Sequence, residues 1–421
     1  MKRIYILNFL LIVGILLVYF FEYSSFTEES TVNIGVLFSK TGSMAKAEQP
    51  VLRSTLLAIE QINQLGGVNG KRIIPIIYDG ASDPKQHAML AKKMIQKDHV
   101  KAIFGCWTSA SRKEVKRIVE EYNNLLIYPT QNEGIEDSNN IIYLGAIPNQ
   151  QLVPAVSWML ENYGKNFFLV GSDYIYPHVA NEILAHESMV LGGKIAGTHY
   201  IPVGSTDVDA VISDIIQKNP DFIFNTINGS TNTAFFKRLY ELTVAKGIRR
   251  PPVMSFSLSN SEMYAIGLNK MVGDLATGSY FLSQNNAKNK VFLKDYLQKY
   301  GSIDEVGDTV ITAYSGVYLW AQAVRESPSI EPTAVREFML RQSVASPGGV
   351  IYIDPTSAHA WRVVEIARVD AKGQNNIVWT SGAPVEPIVY PDFKSKAEWD
   401  FFEYELYTKW NKSWGNFGMQ R

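Results

Sequence analysis

The chain has 421 residues, 46% of them hydrophobic and 19% charged, which is enough apolar material for two ordinary packed domains. Its 40 Lys and Arg nearly cancel its 41 Asp and Glu and no polybasic run occurs, so no nucleic-acid partner is expected. A single cysteine, Cys106, excludes an intramolecular disulfide and any multi-cysteine zinc site.

The first 30 residues stand apart. Lys2 and Arg3 precede an apolar run, residues 4–21, broken only by Tyr5, Asn8, Gly14 and Tyr19. A run of this length reads as a signal segment or a membrane anchor. The flank Phe21-Glu22-Tyr23-Ser24-Ser25-Phe26 lacks the small-residue cleavage pattern, which favours an anchor, and no cysteine follows to carry a lipid. The basic N-terminal flank places the body of the protein outside the cytoplasmic membrane.

From Thr31 onward strands and helices alternate. An apolar strand at 34–38 runs into the polar loop Ser39-Lys40-Thr41-Gly42-Ser43. A helix carrying Leu52, Leu56, Ile59 and Ile62 on one face follows and stops at Gly66-Gly67. Strands at 72–78, 100–104 and 125–128 then alternate with helices at 86–97 and 111–122. The rhythm restarts after Pro148, with strands at 167–170, 194–201, 221–225 and 252–256 separated by helices. Short apolar strands spaced by helices imply parallel sheets covered on both faces. The fold class expected is therefore α/β, with two doubly wound parallel-sheet lobes. The two units stand in tandem, residues 31–147 and then 148–280, with a cleft between them. A hairpin turn is read at Asp370–Gln374, and the aromatic, charged tail 394–421 is read as a short surface helix.

Enzyme signatures are missing. The string Gly66-Gly67-Val68-Asn69-Gly70-Lys71 has the wrong spacing for a phosphate loop, and it follows a helix where a phosphate loop follows a strand. The six histidines (His87, His99, His178, His186, His199 and His359) show no metal-ligand spacing. No catalytic residue, metal or cofactor is expected.

Ligands of open α/β sheets bind beyond the carboxyl ends of the strands. Those ends read Ser39-Thr41-Ser43, Gly105-Cys106-Trp107-Thr108-Ser109, Tyr128-Pro129-Thr130-Gln131, Ser172-Asp173-Tyr174-Ile175-Tyr176 and Asn225-Thr226-Ile227-Asn228. Aromatic rings and neutral hydroxyls or amides dominate, although Arg112 and Lys113 follow closely. Such a set suits a neutral, planar ligand that makes many hydrogen bonds, and it also suits a sugar. Each of these residues, taken alone, has a plain alternative as a cap or packing group; Ser109, for instance, could cap the helix that follows.

At these residues the chain resembles a known family. FGCWTSASRK (104–113), GSDYIYP (171–177), PNQQLVPA (148–155), YDGASD (78–83) and FNTINGSTNTAFF (224–236) are similar to the urea- and short-chain-amide-binding proteins of ABC transporters. The likeness runs from about Val32 to Phe393. It implies the type I periplasmic-binding-protein fold, two lobes whose hinge the chain crosses three times, closing on ligand. Residues 31–147 with about 281–345 would then form lobe 1, and 148–280 with about 346–393 lobe 2. By motif position it implies a ligand pocket of Trp107, Ser109, Tyr128, Thr130 and Tyr176. Trp107 and Tyr176 would flank the ligand, and Ser109 and Thr130 would accept its N–H groups. Asn228 is added from its strand-end position. Where the family often has Tyr-Glu-Gly, this chain has Asn132-Glu133-Gly134. The expected function is capture of urea or a small amide for an ABC permease. A membrane-anchored sensory ectodomain for an amide or amino acid, reporting to a membrane sensor partner, is the alternative.

Overall fold

The computed structural model describes residues 30–417, so the N-terminal apolar run lies outside the described residues. Among the described residues no helix is long and apolar enough to cross a membrane.

The first half builds a five-stranded, wholly parallel sheet. Its strands are β1 (Thr31–Phe38), β2 (Arg72–Asp79), β3 (Ile103–Gly105), β4 (Leu126–Tyr128) and β5 (Ile141–Tyr143), in the order β2-β1-β3-β4-β5. Helices α1 (Ala45–Gln64), α2 (Pro84–Gln96) and α3 (Ser109–Glu121) connect them. Asp83 caps α2 by accepting from the Lys85 and Gln86 N–H groups, with Pro84 at the first helical position.

After a single 3-10 turn (Pro148–Gln150) and α4 (Leu152–Asn162), the second sheet repeats the plan. It uses β6 (Asn166–Ser172), β7 (Lys194–Ile201), β8 (Phe222–Thr226), β9 (Val253–Ser255) and β10 (Leu275–Gly278). These run β7-β6-β8-β9-β10, all parallel, with α5 (Ile175–Val190), α6 (Asp209–Lys218), α7 (Ser230–Lys246) and α8 (Asn260–Ile266) around them. Two antiparallel strands, β14 (Glu365–Val369) and β15 (Asn375–Thr380), extend its far edge. The turn between them is closed by the Asp370 N–H donating to the Gln374 carbonyl at 2.9 Å. Buried Ile34, Val36, Phe167, Leu169 and Phe224 fill one face of the strands and Leu37, Phe168, Val170 and Ile223 the other, as a covered parallel sheet requires.

Between β10 and β14 the chain returns to lobe 1. There α9 (Ala287–Tyr300), α10 (Asp308–Glu326) and α11 (Pro332–Met339) cover the first sheet, and α10 packs along α1. A small antiparallel sheet follows, made of β11 (Ser343–Ser346), β12 (Gly349–Ile353) and β13 (Ala360–Trp361). The expected return to lobe 2 at about 346 is corrected by this sheet. His359 stacks on Tyr143 at 4.1 Å and pairs with β5, so lobe 1 extends to about Trp361. Short strands of mixed polarity carry no signal of which lobe they join. The three crossings lie between β5 and β6, between β10 and α9, and between β13 and β14.

The tail is also more than a surface helix. In α12 (Lys396–Lys409), Trp399 is wholly buried and Leu406 nearly so, while Trp410, its C-cap, is also buried.

Candidate functional site

Both sheets reverse strand order at a matching place, between β1 and β3 and between β6 and β8. Crevices form where connections depart to opposite faces. The two switch points face each other across the lobes. Trp107, just past β3, donates its indole N–H to the Asn228 side-chain oxygen, just past β8, at 3.3 Å. The Gln131 amide, past β4, donates to Ser257, past β9, at 3.0 Å. At the rim the Ser230 N–H donates to the Ser43 carbonyl at 3.1 Å. The lobes are closed on one another.

Inside lies a cavity of about 60 Å³, walled by Trp107 and Gln131 from lobe 1 and by Gln151, Phe256, Ser257, Ser259 and Asn260 from lobe 2. Thr277 near the end of β10, with Glu305, Gly307, Asp308 and Val310 where α10 begins, completes the lining. No Lys, Arg or His lines it. Both acids on the wall are already engaged. Glu305 accepts from Arg53 at 2.6 Å and from the Tyr296 hydroxyl at 2.6 Å. Asp308 pairs with Arg362 and accepts the Ser279 N–H at 3.2 Å. The cavity is therefore electrostatically neutral in effect, with two rings and several amides and hydroxyls.

The six residues singled out from sequence occupy two layers. Trp107 is on the cavity wall. Asn228 is buried behind it, its amide N–H donating to the Thr226 carbonyl at 3.1 Å. Tyr128 and Thr130 brace the turn that carries Trp107. The Tyr128 hydroxyl donates to the Trp107 carbonyl at 2.7 Å, and the Thr130 hydroxyl to the Cys106 carbonyl at 3.4 Å. Ser109 is held away from the cavity, its hydroxyl on Glu133 and accepting from Arg112 at 2.9 Å. It does not cap α3; Thr108 does, accepting the Ser111 N–H at 3.1 Å. Tyr176 is buried, with its hydroxyl beside the Ser257 hydroxyl.

Beneath this layer sits a dry ion cluster. Arg112, wholly buried, lies 2.8 Å from Glu133 and 2.9 Å from Glu136, with its guanidinium 4.9 Å from the Tyr128 ring centre. Lys113 lies 3.0 Å from Glu136 and 2.7 Å from Glu403. Burial works against ionised Glu136, yet Arg112 and Lys113 outweigh it and hold that carboxyl well below its usual range. Burial also pushes the Cys106 thiol up, so it stays a protonated packing group.

Sequence reading missed Gln151, Ser257, Asn260, Thr277, Glu305 and Asp308. Ser257 and Asn260 follow the strand read at 252–256, so extending the strand-end rule to that strand would have found them. Thr277 sits near the end of β10 and Glu305 and Asp308 where α10 begins, positions that the strand–helix pattern did not link to the cleft.

Gly145, at the first crossing, shows how tightly the site is built. A β-carbon there would sit 2.1 Å from the Thr130 carbonyl carbon and oxygen. Gly145→Ala is expected to cost about 1–3 kcal/mol of stability and to weaken ligand binding by displacing the Thr130 strand end. Urea-free melting curves and a binding titration on the same variant check both.

Two α/β lobes with matched switch points, crossed three times and closed over a small cavity, define a ligand-clamping receptor. The chain belongs to the periplasmic binding protein family: the model of the periplasmic binding protein domain matches residues 32–396. It is 28% identical over 329 residues to the leucine-, isoleucine-, valine-, threonine- and alanine-binding protein of Pseudomonas aeruginosa, covering 77% of this chain and 86% of that one. A solute-binding protein of an ABC transporter from Rhodopseudomonas palustris, in complex with p-hydroxybenzoic acid, superposes with a TM-score of 0.76 at 22% identity, covering 85% of this chain and 98% of that chain. A leucine-binding protein from Thermotoga maritima gives 0.73 at 20% identity, over 83% and 98% of the two chains. These superpositions establish the type I periplasmic-binding-protein fold.

Proposed function

We propose that the protein is an extracytoplasmic solute receptor that clamps urea or a short-chain amide and delivers it to an ABC importer. The observation that carries this reading is the size and neutrality of the cavity between the lobes. At about 60 Å³ it is under half the roughly 150 Å³ of a cavity that accepts benzene. Urea, with four heavy atoms, suits that space better than leucine or a hydroxybenzoate. The ligands named for the relatives are carboxylates. A carboxylate here would meet no cation on the wall, and an ammonium would meet only acids already paired. A neutral amide instead offers N–H groups to the Gln131 and Gln151 oxygens and a carbonyl to the Ser257 hydroxyl. Trp107 and Phe256 supply flat apolar faces.

Thermal unfolding with ligand tests this. Urea (far below denaturing levels), acetamide, formamide, leucine and 4-hydroxybenzoate would each be titrated. A true ligand at 100 times its Kd stabilises by about 2.7 kcal/mol, a clear rise in Tm. Shifts with urea or the amides alone are expected. A shift with leucine or 4-hydroxybenzoate and none with the amides would overturn the ligand class while leaving the fold intact.

A further inference from the structure

The family match ends at residue 396, yet the described chain continues to 417 and grips both lobes. The Ser395–Glu398 capping box opens α12, and buried Trp399 donates its indole N–H to the Pro391 carbonyl at 3.0 Å, fixing where the helix starts.

On the lobe 1 side, Glu403 meets buried Lys113 of α3 at 2.7 Å and Lys396 meets Asp137 at 2.8 Å. The Lys113 ammonium also lies 5.0 Å from the Trp414 ring centre. On the lobe 2 side, the Ile175 N–H donates to the Trp414 carbonyl at 3.0 Å. Asn416 donates its N–H to the Asp173 carbonyl at 2.7 Å and its side-chain amide to the Asp173 carboxylate at 3.1 Å. Trp410 packs edge-on to His178 at 5.0 Å.

Lys113 follows β3, and Asp173–Ile175 follows β6. These are the strand ends that face each other across the cleft. One short segment therefore holds a residue of each lobe next to the site, and Trp414 touches both.

We propose that residues 394–417 are a strap that fastens lobe 1 to lobe 2 along one flank of the cleft and sets how readily the receptor opens. A hinge motion that separates α3 from α5 must break one of the two grips. The Lys113 grip is the dearer to break, because a buried ammonium loses one of its two close carboxylates. The strap acts on the lobes, so this inference stands apart from the identity of the ligand.

The test is a distance measurement without ligand. Exposed Lys40 and Asp207, one on each lobe at the rim, would be replaced by cysteine and spin-labelled in the full chain; buried Cys106 stays unlabelled. Glu403→Gln with Lys396→Ala loosens the lobe 1 grip. Trp410→Ala with Asn416→Ala loosens the lobe 2 grip by removing the ring against His178 and the side-chain amide on Asp173. Either pair is expected to raise the open population about tenfold, the change that a single decade in an equilibrium constant represents. A shift from each of the two independent pairs is the signature of a strap. Unchanged distances in folded variants would overturn it, and so would a shift from one pair alone. Should one pair fail to fold, the other decides: a longer distance supports the strap and an unchanged one refutes it.

Discussion

Replacing Arg112 by Met is expected to cost about 3–5 kcal/mol of stability, the usual penalty for orphaning a buried ion partner. Arg112 is wholly buried, and its guanidinium satisfies Glu133 and Glu136 together with the Ser109 hydroxyl. Met matches much of its length but leaves two buried carboxylates sharing Lys113, which Glu403 already claims. The replacement of Arg112, Glu133 and Glu136 together by Met, Gln and Gln is expected to recover most of that loss, because no uncompensated charge is left in the interior. Denaturant unfolding of the single and triple variants gives both numbers. A loss below about 1 kcal/mol for the single variant, or a triple variant as weak as the single, would show that the cluster is not a balanced ion set. The variant also reports on the site. Arg112 holds Ser109 and lies against Tyr128, whose hydroxyl supports the Trp107 carbonyl, so ligand affinity should fall along with stability.

How far this could be foreseen varies with the range of the contacts. The strand–helix alternation is local, and it was legible because each strand is a short apolar run and each helix shows its period within a dozen residues. The strand-end rule then reached Trp107, Tyr128, Thr130, Tyr176 and Asn228. It could not say which of them face the cavity, since that depends on side-chain direction. Ser109 illustrates the limit. Its surroundings are set by Glu133, 24 residues on, in the loop where the family's usual Tyr-Glu-Gly becomes Asn-Glu-Gly. The small sheet of β11–β13 joins lobe 1 through His359 on Tyr143, a contact across more than 200 residues with no periodic trace. The tail was read only as a surface helix, although Trp399, Phe402, Leu406 and Trp410 fall at helical spacing and form its packed face; the pattern does not say which elements receive that face. Its partners, Asp173 and Lys113, lie more than 240 residues upstream.

The protein is expected to be most stable near the ordinary carboxylate range and to lose stability as the pH rises towards 8, with Glu48 the largest contributor. Glu48 is almost wholly buried on α1, where burial drives its carboxyl up to about 8 despite the Ser39 N–H that donates to it at 2.6 Å. Burial likewise carries Glu262 to about 7 and Asp274 to about 6, the latter even with Arg250 at 2.9 Å. In each case the folded chain holds the proton more tightly than the unfolded chain does. Stability is then fully present below the unfolded carboxylate pKa and drains away as the pH climbs through the folded value. For Glu48 the drain at pH 7.5 is on the order of 4 kcal/mol, from about 1.4 kcal/mol per unit. Glu136 works in the opposite direction. Its depressed carboxyl contributes stability above the unfolded pKa that is lost only on the acid side, so the two effects together place the maximum between them. Glu48→Gln keeps the shape and an oxygen for the Ser39 N–H while removing the titration. It is expected to match the parent near pH 4.5 and to exceed it by several kcal/mol at pH 8, flattening the alkaline limb. Calorimetric unfolding across pH 4 to 9 on both proteins decides it: parallel curves would mean that Glu48 stays ionised in the folded state, held by the Ser39 N–H against the cost of burial.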